Sequence, residues 1–268
     1  MDRLEAISVN LTTEEMVVLL DQLGTAGYAG LDTSSLDELS ERERNLALDV
    51  ARRGLIARQH LTRDEAGEWQ VGQFALAALG ISLSPSQSVM VIRGQSRDTA
   101  VSYLFHTAQD VFTTHEVDDQ AIHRFLIMRD GQTWQEAILS AAGLDTAGNQ
   151  DEAPQVPPVL VRQALLNEAY AEAQSGTSAK AQSLLVQAGV NEATAQSLAL
   201  ALTEPVMFTT TIAITHTPEE RRRDLTLLTG ANGCWRLESQ NGQGDDGQLG
   251  VAPLSAARAR QQVIELIS

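Results

Sequence analysis

Three histidines stand on successive segments in which apolar and polar residues alternate, the pattern of β-strands. They are His106, His115 and His123. Imidazole nitrogens are common zinc ligands, so three histidines on one face of a sheet could hold a metal ion. No cysteine or carboxylate partner is evident, and we interpret the three as structural residues. We expect no metal site, and the sequence leaves open whether the three converge.

The single cysteine, Cys234, is the next candidate for chemistry. A thiol nucleophile needs a neighbouring base. The C-terminal half contains one histidine, His216, in or beside a predicted turn. We therefore expect Cys234 to be a buried or half-buried spectator.

A glycine-rich loop at 242–247 matches the spacing G-x-G-x-x-G. A dinucleotide site needs this motif between a strand and a helix, whereas here two aspartates fall inside it and a strand follows. Ala252 stands where a calcium loop starting at Asn241 would need a carboxylate. No nucleophile-elbow, zinc-protease, P-loop or C-x-x-C motif occurs. We expect no catalytic residue and no cofactor; an uncharacterised enzyme is the second alternative.

The charge balance limits the partners of the chain. It has 35 acidic and 19 basic residues and a formal net charge of −16, which disfavours nucleic acid and anionic membranes. The compact basic run, 221–223, is interpreted as a solvated turn before a strand. No apolar run approaches the ~20 residues of a membrane span. A lone cysteine and the lack of a charged-then-apolar leader favour the reducing cytoplasm.

The elements that position these residues begin with a pattern like that of a winged helix. Periodicity and caps predict helices at 13–23 and 41–54, a hairpin within 55–71 and a short helix at 74–79. A transcriptional regulator is therefore the first alternative. The four arginines of 41–54 are nearly balanced by three acidic residues, so the basic footprint of a DNA-reading helix is missing.

The chain divides at a polar, proline-containing segment. This linker is predicted at 149–158, between a first half at 1–148 and a second half at 159–268. Four alternating strands fall within 88–129, followed by a helix at 132–142. The second half has three helices (159–173, 179–187, 192–202), four strands between Val206 and Val251 and a last helix at 253–267.

The order of elements repeats between the halves. The path from Leu76 to Val117 recurs from Leu198 to Ser239, an offset of roughly 120 residues that suits a domain length. We predict an α+β fold of two similar halves, each with helices, an antiparallel β-meander and a closing helix, related by a pseudo-twofold axis.

Two segments carry a resemblance to a known family. Residues 11–24 follow the pattern Leu-Thr-x-x-Glu-x-x-x-Leu-Leu-x-x-Leu-Gly, and 51–55 read Ala-Arg-Arg-Gly-Leu. Together with the hairpin, the Ala/Leu helix and the meander, they resemble the EspG family of cytosolic chaperones of type VII (ESX) secretion.

The resemblance implies a binding module without catalytic residues. Its partner would be a secreted helical protein of the PE–PPE type, held in the cytoplasm by helix-in-groove recognition. We look for the partner-binding surface first on the alanine-rich helices of the second half, at Leu184, Leu185, Leu198 and Leu202. The oligomeric state is left open.

Overall fold

A computed structural model of the chain describes residues 6–25, 27–28, 30–95, 100–144, 153, 156–203, 207–216, 219–230, 233–241 and 247–268. Helices and antiparallel strands fill these ranges, which confirms the predicted α+β class. None of the described helices is both long enough and apolar enough to cross a membrane.

The described elements follow one another from β1 to α9. The strands are β1 (Ile7–Thr12), β2 (Leu61–Arg63), β3 (Trp69–Val71), β4 (Gln87–Gly94), β5 (Val101–Ala108), β6 (Val111–Val117), β7 (Ile122–Met128), β8 (Val159–Arg162), β9 (Met207–Thr215), β10 (Arg221–Gly230), β11 (Gly233–Asn241) and β12 (Gln248–Leu254). The helices are α1 (Thr13–Gln22), α2 (Ser34–Asp37), α3 (Glu41–Ala57), α4 (Gln73–Leu83), α5 (Gly131–Ala141), α6 (Gln163–Gln174), α7 (Ser178–Gln187), α8 (Glu192–Ala201) and α9 (Ala256–Ile267).

The chain forms two compact units. The first comprises Met1–Ser88, Tyr103–Trp134 and Thr215–Glu220, and the second comprises Val89–Ser102, Gln135–Ile214 and Arg221–Ser268. A run of four strands followed by a helix occurs twice along the chain, as β4 to β7 with α5 and as β9 to β12 with α9. The pseudo-twofold relation stays a prediction. So does the division into halves, and most of the linker at 149–158 lies outside the described residues.

In the first unit, α1 begins where its sequence predicts. The Thr12 hydroxyl accepts a hydrogen bond from the Glu15 amide at 3.3 Å, and the Glu15 carboxylate accepts one from the Thr12 amide at 3.1 Å. This reciprocal capping box satisfies two amides that the helix itself cannot pair. Glu15 is buried and also forms an ion pair with Arg58, so the cap ties α1 to the end of α3.

The end of α3 differs from the prediction. Gly54 was expected to stop the helix, but the helix runs through it to Ala57. A Cβ at Gly54 would lie 3.0 Å from Oε1 of Glu15, so the glycine makes room for the buried carboxylate and does not serve as a terminator. The predicted hairpin consequently starts later, at Leu61.

The sheet of the first unit has the strand order β1-β7-β6-β5. Its pairs are antiparallel, with Val9 opposite Phe125 and His115 also opposite Phe125 on the other side of β7. Helices α1, α3 and α4 supply the rest of the core through residues such as Met16, Leu55 and Leu79. The small hairpin β2–β3 caps this core with Leu61.

The second unit holds strands in the order β4-β9-β10-β11-β12-β8 and the helices α6, α7 and α8. Trp235 is fully buried among the residues of these helices. Two predictions are wrong here. Residues 159–162 form a strand that pairs with β12, not the start of a helix. Val-Leu-Val is compatible with either element, and the pairing with β12 decides for the strand. The last helix begins at Ala256 after the N-cap Ser255, and Pro253 instead lies within β12, opposite Trp235.

Candidate functional site

The helix α4 differs from the other long helices of the first unit because it contains no charged residue. Its sequence is Gln-Phe-Ala-Leu-Ala-Ala-Leu-Gly-Ile-Ser-Leu. Ala75, Ala78 and Leu79 are buried, while Phe74 and Leu76 are 44% and 45% exposed. A helix that is apolar all round is normally covered all round. Among the residues that the structure describes, nothing supplies the cover that the composition of α4 calls for on this face.

The exposed face of α4 borders a cavity of about 520 Å³ that we call the α4 groove. Its other wall comes from the start of β1, the β5–β6 turn and the end of β7. It is lined by Ile7, Gln73, Phe74, Leu76, Ala77, Gly80, Ile81, Ala108, Gln109, Val111, Ile127, Met128 and Arg129. Arg129 is the one charged residue in this lining, so the groove suits an apolar ligand surface.

The β5–β6 turn at the rim of the groove has an unusual backbone. Gln109 and Asp110 both have positive φ, 50° and 54°, and Ala108 pairs with Val111 across them. This is the two-residue hairpin geometry that Asn-Gly normally supplies. Left-handed backbone in residues other than glycine is mildly strained and occurs often at functional sites.

The buried side of the same sheet brings two of the predicted histidines together. Nε2 of His115 lies 3.0 Å from Nδ1 of His123, and the other ring nitrogen of His115 lies 3.4 Å from the hydroxyl of Tyr28. A chain in which Tyr28 donates to His115 and His115 donates to His123 satisfies neutral rings. Phe125 stacks on His115 at a centroid distance of 4.4 Å. The cluster therefore reads as a buried structural network.

His106 belongs to a second polar contact. Its Nδ1 lies 3.1 Å from the hydroxyl of Ser88, which is also 3.0 Å from Nε2 of His216. The three predicted histidines thus do not converge on one point. Within the described ranges no group of three or more His, Cys, Asp or Glu side chains is arranged to hold a metal ion.

Burial keeps these imidazoles neutral. It lowers the pKa of His115 to about 3, with the charges of His123 and His106 as smaller causes. It lowers the pKa of His106 to about 4, with His216 as the smaller cause. The pKa of His123 is also lowered by burial. A neutral, desolvated imidazole with so low a pKa is a poor general base near pH 7.

The remaining chemical candidates are also placed structurally. Cys234 is buried in β11, and burial raises the pKa of its thiol to about 12, as expected of a spectator. The arginines at 221–223 form the start of β10 and do not precede a strand as predicted. Most of the glycine-rich loop, 242–246, lies outside the described residues.

The four leucines predicted to bind a partner lie on α7, α8 and the residue that follows α8. Leu185, Leu198 and Leu202 are fully buried in the core of the second unit, and Leu184 packs partly exposed against it. Partner contact through these side chains stays a prediction. The α4 groove was missed by the sequence reasoning, although a signal existed: eleven residues of helix without one charge.

A second cavity lies along the sheet of the second unit. It has a volume of about 300 Å³ and is lined by Pro158, Val159, Leu160, Arg236, Glu238, Gln240, Gly250, Val251 and Ala252. Its lining includes an arginine and a carboxylate beside the exposed Leu160. It is smaller than the α4 groove.

The fold is similar to that of a secretion chaperone of known structure. The structure of the Mycobacterium tuberculosis type VII secretion system chaperone EspG5 in complex with a PE25-PPE41 dimer matches with a TM-score of 0.57 and 13% sequence identity, over 97% of this chain and 95% of that chain. At this identity the likeness concerns the fold, and at that level the predicted resemblance to the EspG family is confirmed. No family model and no curated protein matches the chain.

Proposed function

We propose that the chain is a non-enzymatic, cytoplasmic chaperone that binds a helical protein of the PE–PPE type. The observation that carries the proposal is the apolar face of α4 that the described part of the chain leaves exposed, with Phe74 and Leu76 each close to half exposed. An amphipathic helix laid into the α4 groove would bury these side chains and Ile7. Apolar surface of this kind is typical of sites that another protein covers.

The fold likeness supports the same function over the alternatives. The EspG5 chaperone was solved with a PE25-PPE41 dimer, and we extend a partner of that class to this chain. The lowered pKa values of His106 and His115 make them poor general bases, and the raised pKa of Cys234 makes it a poor nucleophile. These residues therefore do not favour an enzyme. A DNA-binding regulator would need a basic surface, and the net charge of the chain is −16.

The tagged chain is used to recover a helical PE–PPE-type pair from its native cells, and the pair is then purified. The test is the dissociation constant of the complex between this pair and the chain. Leu76→Glu places a charge in the groove and should weaken the complex at least tenfold. Val186→Glu is the matched control, because Val186 is 41% exposed on α7 in the second unit. Both variants change exposed side chains and should keep the circular dichroism and urea midpoint of the parent.

Each result has a defined meaning. Loss of binding with Leu76→Glu and retention with Val186→Glu supports the α4 groove. The reverse result moves the partner to the helices that carry Leu184 and removes the groove from the proposal. Recovery of no helical pair of this class from native cells contradicts the chaperone function itself.

A further inference from the structure

Five exposed residues of α3, separated alternately by three and four positions, lie on one face of the helix. We call them the outer stripe. Its members are Glu43, Leu46, Val50, Arg53 and Ala57, all exposed. Leu46 and Val50 are 62% and 53% exposed, more than Leu76 of α4 at 45%. Spacing of this kind is the seam by which two helices pair in a coiled coil.

The inner face of the same helix already has its partner. Leu48, Ala51 and Leu55 pack on the core of the first unit. The outer stripe lies on the opposite side, so the core of its own unit does not cover it. The structure places the face that carries Leu46 and Val50 in solvent.

The charges on the outer stripe are complementary to those on the outer stripe of a second, antiparallel copy of the chain. An antiparallel copy of α3, related by a twofold axis at Leu48, sets Leu46 opposite Val50 of the second copy and Glu43 opposite Arg53. Both contacts occur twice, because each residue of an isologous interface meets its counterpart in both directions. Apolar side chains thus meet at the centre and opposite charges meet at the two ends.

We propose that the chain forms a homodimer through antiparallel pairing of α3 in two copies. The macrodipoles of the paired helices oppose each other, which favours the antiparallel arrangement. Leu39, exposed just before the helix, extends the apolar contact towards Ala57 of the second copy. One helix pair buries less than the roughly 1,200 Å² of a stable interface, so the dimer is weak and concentration-dependent.

One residue, Asp49, disfavours the pairing and therefore allows a second test of the dimer. Asp49 is exposed and lies beside the twofold axis, where it faces Asp49 of the second copy. Two carboxylates so placed repel each other. Asp49→Asn removes this repulsion and should tighten the dimer about threefold, a gain that mere damage to the helix would not produce.

The dimer is tested with the full chain alone by sedimentation equilibrium across a range of concentrations. The parent should rise from the monomer mass towards twice that mass. Val50→Glu sets a carboxylate against Leu46 in both copies and should raise the dissociation constant at least tenfold. Asn45→Glu is the matched control, because it adds the same charge to an exposed position of α3 off the stripe.

Three outcomes would overturn the dimer. They are a parent that stays monomeric up to its solubility limit, equal weakening by Val50→Glu and Asn45→Glu, and a dimer that Asp49→Asn loosens. Circular dichroism of each variant separates loss of pairing from loss of folding. Because no other protein is present, failure here leaves the proposed chaperone function untouched.

Discussion

The rings of His115 and His123 lie almost parallel, 10° apart, with Nε2 of one 3.0 Å from Nδ1 of the other. Two imidazoles at this distance share a hydrogen bond as long as one of them keeps an unprotonated ring nitrogen, because protonation of both rings would remove the acceptor. Burial adds to this by disfavouring the charged form of either ring. The pair therefore links the stability of the first unit to pH.

Stability should fall as the pH is lowered from 7 to 5. The unfolded chain takes up protons on histidine near pH 6.5, whereas burial holds the pKa of His115 at about 3 in the native state. The unfolded state therefore binds more protons in this window and gains relative to the native state. His115 alone should cost about 2 kcal/mol between pH 7 and pH 5.

Urea unfolding of the parent and of His115→Phe at the two pH values measures this cost. Phenylalanine preserves the stacking on Phe125 and cannot titrate. The variant should lose about 2 kcal/mol less than the parent on acidification. Equal losses in both chains would show that His115 does not contribute.

A second prediction concerns Gly72, which precedes α4. Its amide donates to the carbonyl of His60 at 2.8 Å, and a Cβ would lie 2.1 Å from the carbonyl oxygen of Gln59. Backbone cannot yield as a flexible side chain does, so Gly72→Ala should destabilise the fold by about 3 kcal/mol. Gly80→Ala is the control within α4, since no atom lies within 4 Å of its Cβ position. It should stabilise by about 1 kcal/mol, and similar urea midpoints for the two variants would refute the close approach.

A third prediction separates two adjacent leucines of α7. Leu185 is fully buried, whereas Leu184 packs partly exposed beside the core. Leu185→Ala should cost about 3 kcal/mol through lost contacts and a cavity. Leu184→Ala should cost about 1 kcal/mol. Thermal and urea unfolding measure both, and a larger cost at Leu184 would mean that the helix is rotated about its axis.

A fourth prediction concerns the strained turn at the groove. Asp110→Gly relieves the positive φ of 54° and should raise the free energy of unfolding by about 1 kcal/mol. Asp119→Gly, in the turn between β6 and β7, adds only unfolded-state entropy and should lower it by about 0.5 kcal/mol. A destabilising Asp110→Gly would show that the aspartate side chain holds the turn.

Local patterns account for most of the fold. The capping residues Thr12 and Glu15 indicate the start of α1. The alternation of β-branched and polar residues in 88–129 predicts four strands. The errors arise where a distant partner decides. Strand β8 exists because β12 pairs with it, and α3 passes Gly54 because Glu15 packs there. Neither partner is visible from the local sequence.

The candidate site was harder to predict than the fold. Alanine-rich helices suggested an exposed leucine stripe, but packing of α6, α7 and α8 on one another buries three of the four leucines. The α4 groove needs the ends of β1 and β7 beside one helix, a juxtaposition set by strand order. The signal for the groove in the sequence is the absence of charged residues from 73–83.

The close backbone approach at Gly72 has a consequence for kinetics. Because the first residue of α4 follows directly on a backbone hydrogen bond to His60, we expect the α4 wall of the groove to keep its position when a partner binds. Binding to a preorganised surface costs little conformational entropy. Variants along the groove should therefore leave the association rate nearly constant and differ in the lifetime of the complex.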